Sequence, residues 1–323
     1  MSDLADKSVT MVSAPVPVGT HFNEQRYLYA FAPQFEVQKY IRTQGIADEV
    51  SRLPEIIDAW RAIQLQVQLV QTNEPSVADS IKVERVPSDV SSQLAAIATD
   101  DLFRSSFASH QTDFGLVEID KLIAAQRTVN LEYVERLARD LGTNPSIAQL
   151  VDFCLSPRKT LEPIQHLELA DGVHAFSSPN TDLRYLGGFR KDVSSDDLKY
   201  AVAGGLPAAA VIGFVGYGAS SINAFQVGSR LFLNNGFHRV FAMRSLGIKM
   251  APIALLQVKN LQLEFPPAIA GVPREYLLSA TRPALVKDFF KPDFTMTVKT
   301  KARVKVVVVN LSQGTVGQHD VPS

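Results

Sequence analysis

Cysteine occurs once in the 323 residues, as Cys154, so no disulfide can close within the chain and paired-thiol chemistry is excluded. A lone thiol in an apolar helical context points to a reducing cytoplasm and to a buried, inert side chain. Neither sign of charge is in excess: 32 Lys and Arg face 33 Asp and Glu. No global positive field is therefore available to hold a nucleic-acid backbone, and only a local basic patch could do so. Long hydrophobic runs are also missing. The longest candidate, 206–217, falls short of the ~18 residues that span a bilayer and is broken by glycine, and no charged-then-apolar leader opens the chain. A soluble, cytoplasmic protein without membrane partners is the expectation. What is present is 46% hydrophobic residues, enough for a sizeable interior in two or three domains or in one elaborated core.

Read in order, residues 1–20 carry Ser, Pro and Val without helical period, as an arm or an extended docking segment does. Pro33 breaks the chain before 35–42. Pro54 suits the first turn of a helix whose apolar spacing begins helical and turns to alternation over 63–70, where a strand is an alternative. Trp60 on it reads as core. Residues 91–109 have the pattern of one or two amphipathic helices. The alternation in 114–122 predicts a strand running into a turn. A helix over 130–141 follows, capped by Asn130 and ended by Gly142, and then a second helix over 146–155. Short strands fill 164–193, and a capped helix begins near Leu198 and ends at Gly204-Gly205-Leu206-Pro207.

Ala208–Tyr217, small, apolar and β-branched, suits a central strand. Gly213, Gly216 and Gly218 lack the Gly-Lys-Ser/Thr ending of a phosphate loop and read as close-packing positions. His166 and His174 flank a turn and read as cross-strand surface histidines rather than a metal pair. In the tail, strand-like runs cover 294–298 and 304–309. Lys299, Lys301, Arg303 and Lys305 fall on one face of an extended strand, as a charged guard on an edge or, with less weight, as a phosphate-binding surface. The residues from Ser312 read as a frayed end.

The informative stretch is 222–258, a hairpin followed by Asn234-Asn235-Gly236-Phe237-His238-Arg239, a short helix stopping at Gly247, and an apolar strand after Pro252. An imidazole and a guanidinium in the first turn of a helix suit an anion, because donors, dipole and fixed charge share a direction. This run resembles the hallmark segment of the ParB/sulfiredoxin superfamily: Gly, any residue, His, Arg, then Ala and a Leu-Gly exit. Leu116–Leu122 and Tyr133–Leu137 are similar to the first strand and helix of that core.

The resemblance implies an α+β fold, a ParB/sulfiredoxin-like mixed sheet with short helices. A helical N-terminal region (1–112) would precede the core (113–262, with an insertion at about 156–205), and a β-rich tail (263–323) would follow it. It also implies a prokaryotic setting and nucleotide binding: phosphates held by His238 and Arg239, with Gly236 allowing close backbone approach. Asn234 and Asn235 would orient the nucleotide or a metal-bound water, and Glu118 or Asp120, which an alternating strand places on the same face, would serve as general base. The cofactor implied is a nucleoside triphosphate with Mg²⁺, and the chemistry that of a phosphotransferase or NTPase. Phe237 stands where sulfiredoxins carry their reactive cysteine, which excludes sulfinic-acid reduction. An arginine-rich motif and a following helix-turn-helix are both missing, which disfavours chromosome partitioning. The alternative is a non-catalytic module for binding or assembly, with protein partners or copies of itself. Nucleic-acid binding through the basic tail stands third.

Overall fold

The computed structural model describes residues 22–157, 163–170, 172–180, 182–200, 207–218 and 220–311. The opening arm, the Gly204-Gly205 helix end and the tail from Ser312 lie outside them. The fold is mixed α and β. Its centre is a six-stranded sheet ordered Val83–Glu84, Gln111–Glu118, Met250–Gln257, Asn223–Val227, Arg230–Asn235 and Ile123–Ala124. The 250–257 strand runs antiparallel to 111–118 and parallel to 223–227, and 230–235 closes an antiparallel hairpin on 223–227. These central strands are buried on both faces: Ala251, Ile253, Ala254, Leu231, Phe232 and Leu233 are all at most 1% exposed. That environment explains why they read as continuous apolar runs.

Helix Leu131–Leu141 begins at Asn130, whose Oδ1 accepts the Tyr133 N–H at 2.8 Å, and buries Val134, Leu137 and Leu141. Helix Ile147–Leu155 opens with a reciprocal capping box between Ser146 and Gln149. Residues 91–109 form two helices, Ser91–Thr99 and Asp101–Ser106, because Asp100 caps the second through the N–H groups of Leu102 and Phe103. The helix after Arg52 is longer than its pattern suggested. Leu53–Asn73 is helical throughout, including 63–70. Ile63 and Val67, four apart, are buried, whereas Leu65 and Leu69 face solvent, so the alternation mixes one inward and one outward row. Trp60 is half-buried and its indole N–H donates to the Ala32 carbonyl at 2.9 Å.

Two other predicted strands are placed differently. Ala209–Tyr217 is not central: among the described residues it pairs only with Leu183–Asp192, in a two-stranded ribbon, and Val211 is 73% exposed. Its glycines do serve close approach, since the Tyr185 ring lies over the Gly188–Gly213 cross-strand pair and Leu186 packs on Gly216. The basic tail residues do not share one strand. Lys299 and Lys301 belong to Met296–Lys301, which pairs with Phe22–Tyr27, while Lys305 opens a separate strand, Lys305–Asn310, in another sheet. Arg303 lies between them and donates to the Thr43 carbonyl. One hydrophobic cluster draws on residues from Tyr27 to Val298, and so on all three stretches expected to be separate regions.

Candidate functional site

The site is built where strand 230–235 turns into helix Phe237–Ser245. Gly236 makes the turn with φ +95°, and a Cβ there would come within 2.6 Å of Ile222 Cγ1, so glycine is required on both counts. The Asn235 side chain accepts the Gly236 N–H at 2.7 Å. At the other end, Ile248 N–H donates to Met243 and Gly247 N–H to Arg244, with Gly247 at φ +80°, the paired bonds of a Schellman stop. Val240, Phe241, Ala242 and Met243 hold the helix to the core.

Arg239 does not face the space before its own helix. Its guanidinium is buried at 6% exposure and donates to the carbonyls of Phe153 (2.9 Å), Cys154 (3.3 Å) and Ser220. The first two carbonyls end helix 147–155. The same end is closed by Ser221 Oγ on the Leu155 carbonyl, Ile222 N–H on Cys154 and Ser220 Oγ on Ser156. The negative pole that Arg239 meets is therefore the C-terminus of another helix. His238 is largely desolvated, its ring 5.1 Å from that of Tyr133 at 54°. Burial, together with the neighbouring Arg239 charge, pushes its pKa down to about 4, so the imidazole is neutral at neutral pH.

The remaining predicted residues disperse. Asn234 is exposed, and its Nδ2 donates to the buried Asn223 Oδ1 at 2.8 Å. The strand carrying Glu118 ends at that residue, and Asp120 lies in the following 3-10 turn, Ile119–Lys121, which overturns the shared-face expectation. Glu118 pairs with Lys121 at 3.2 Å. Asp120 pairs with Arg244, six residues after His238 and so about 9 Å further along the helix axis. Neither acid is brought to the helix start.

No protein-family model, curated protein or solved structure matches the chain. The likeness to ParB/sulfiredoxin cores therefore rests on motif and element order. A nucleoside triphosphate with Mg²⁺ fits these residues poorly: the arginine is enclosed by carbonyls, the histidine is uncharged, and both acids are paired at the far end of the helix. Among the described residues no group of three or more His, Cys, Asp or Glu is arranged to hold a metal ion. His166 Nε2 and His174 Nδ1 lie 3.2 Å apart across their strands, with Phe176 stacked on His166. Nor, among the described residues, is any helix long and apolar enough to cross a membrane.

The residues that sequence reading passed over are Phe189 and Phe214. Both are 50% exposed and in ring contact at 5.9 Å on the 183–192/209–217 ribbon. Phe214 lay in the apolar run taken for a central strand, and Phe189 among the short strands over 164–193.

Proposed function

We propose that this chain is a non-catalytic binding module, a ParB/sulfiredoxin-like core in which a ribbon formed by the insertion and the strand after it serves assembly with a protein partner. The observation that carries this reading is the ribbon 183–192/209–217, on which Tyr185, Leu186, Phe189, Val211 and Phe214 are each at least half exposed. A two-stranded ribbon is marginal alone in water, and burial of each such side chain contributes about 1.5–3 kcal/mol. By the strand register Leu186, Phe189 and Phe214 share one face of the ribbon and Tyr185 and Val211 the other, and exposed apolar side chains bordered by a polar rim are the anatomy of a protein contact. The rim consists of the pairs Arg184–Asp182, Arg190–Asp192 and Lys191–Asp197. The ParB/sulfiredoxin reading is supported by the order hairpin, glycine, helix, strand over 223–257. Cytoplasmic placement belongs to the same proposal, supported by the single buried thiol Cys154, whose pKa burial pushes up to about 12.

A photo-crosslinking residue placed at Phe189 in cells is expected to give one adduct of defined mass, lost when Phe214→Ser is added and not formed from exposed Arg61. In parallel, calorimetric titration with ATP, CTP, GTP and ADP plus Mg²⁺ is expected to be silent. A nucleotide that binds wild type and not His238→Ala would replace this reading with the nucleotide one.

A further inference from the structure

The strand 305–310 closes one edge of a three-stranded sheet, 305–310/173–178/165–170. Its inner side is paired in register from Lys305–Ser178 to Asn310–Val173. Among the described residues its outer side has no hydrogen-bonded strand. The sequence is Lys-Val-Val-Val-Val-Asn, four consecutive β-branched residues with no proline and a charge only at one end. Natural edges of this kind are blunted by charge, proline or bulges. Of the basic residues that would have guarded the edge, only Lys305 lies in this strand, at one end, whereas Lys299 and Lys301 belong to a different strand and Arg303 precedes it. Val306 and Val308 share a face with Ala175 and Leu167 across the sheet. On that face Val306 is 39%, Val308 45% and Leu167 50% exposed.

We infer that this edge pairs antiparallel with the same strand of a second copy of the chain. Resting on the assembly reading but using a different surface, the inference names a partner for it. The charge pattern selects the direction, and the match of apolar residues about the centre of the strand suits a second copy. A two-fold axis through Val307 sets Val306 of each copy opposite Val308 of the other, and Lys305 opposite Val309. Parallel pairing would instead stack Lys305 on Lys305 and Arg303 on Arg303, and like charges directly opposite one another destabilise a ladder. The strand is thus self-complementary only in the sense that a closed two-fold interface produces. Pairing joins two three-stranded sheets into one of six strands and places the exposed valines of both copies side by side, covering apolar surface while satisfying the open backbone groups.

The test is the mass of the full chain by sedimentation across a wide concentration range. Wild type is expected to reach twice the monomer mass. The exposed-face variants V306K/V308K and V306E/V308E, with unchanged far-UV circular dichroism, are each expected to remain at monomer mass, because like charges then face each other across the axis. Mixing the two is expected to restore the doubled mass as a mixed dimer. Wild type that stays monomeric at every concentration, as it would if another segment of the same chain covered the edge, overturns the inference; so does a dimer that survives in V306K/V308K, or a mixture that stays monomeric. The Phe189 crosslink separates the two readings: a monomeric chain that still crosslinks loses only the dimer, whereas loss of both removes the assembly function.

Discussion

Arg239 is the side chain on which the motif's meaning turns. A guanidinium at the start of a helix suits a phosphate, but this one reaches sideways to the carbonyls of Phe153, Cys154 and Ser220. Removing it takes a donor from the part-buried Phe153 and Ser220 carbonyls, while Cys154 keeps the Ile222 N–H, and an acceptor left unpaired costs about 1–3 kcal/mol. Arg239→Met, which keeps the stem, is expected to lower unfolding free energy in urea by about 3 kcal/mol. Arg239→Lys should recover only part, since a point charge cannot span what a planar fork reaches. A variant as stable as wild type would show that the clamp contributes nothing. His238 carries a pH dependence of definite sign. Its folded pKa of about 4 lies below the usual 6.5, so the unfolded chain binds more protons between these values. Its contribution to stability is complete above pH 6.5 and is lost as pH falls toward 4, by up to about 3 kcal/mol over the full window. The difference in stability between wild type and His238→Phe, followed from pH 7 to about 4.5, should shift in the variant's favour on acidification. A difference independent of pH would contradict a neutral, desolvated imidazole.

At the scale of elements, ends and stops were legible because they are local chemistry. Asn130, Ser146, Gly142 and Gly247 act on residues within one turn, and each cap or stop forms where its type predicts. Partners were not legible. Ala209–Tyr217 has the composition of a central strand, yet what separates centre from ribbon is a neighbour far away in the chain. The face shared by Glu118 and Asp120 failed for a nearer reason, a 3-10 turn that interrupts the alternation. Long-range clamps were equally silent in the sequence. Arg282, 1% exposed, holds Asp288 through two bonds of 2.6 and 2.8 Å and also Glu74 at the end of helix 53–73, whose carboxylate takes Lys287 as well at 2.7 Å. Desolvation works against the Glu74 charge, but these cations together hold its pKa below the usual value. Breaking one partner of such a buried pair leaves an uncompensated charge, which costs about 3–5 kcal/mol. Asp288→Ala is therefore expected to be strongly destabilising in thermal melts, whereas Arg282→Met combined with Asp288→Leu should restore most of the loss. A double variant as unstable as the single one would mean that the network supplies more than charge balance.

Across the whole molecule, the motif-bearing segment depends on what lies outside it. Strand 22–27 pairs with 128–130 on one side and with 296–301 on the other, joining both ends of the described chain to the base of helix 131–141. Phe265 packs on Phe232 and Phe225, and Phe289 and Phe290 pack on Phe241 in the motif helix itself. The short strand 123–124 is continued by backbone bonds from Ala124 to Ala284 and from Val286 to Leu122. Arg230, at the start of the strand that leads to Gly236, is fixed by Asp79 and by the carbonyls of Leu278 and Ala280. A fragment of residues 113–262 would keep the sequence resemblance and lose every one of these contacts, exposing Phe225, Phe232 and Phe241 together. A single core unfolds in one step. The full chain is accordingly expected to show one transition in urea, coincident by near-UV and far-UV circular dichroism, and the fragment a gradual loss of signal with strong binding of a hydrophobic dye. Were the fragment to unfold cooperatively by itself, the core would be an independent domain, with the N-terminal helices and the tail packed on it rather than part of it.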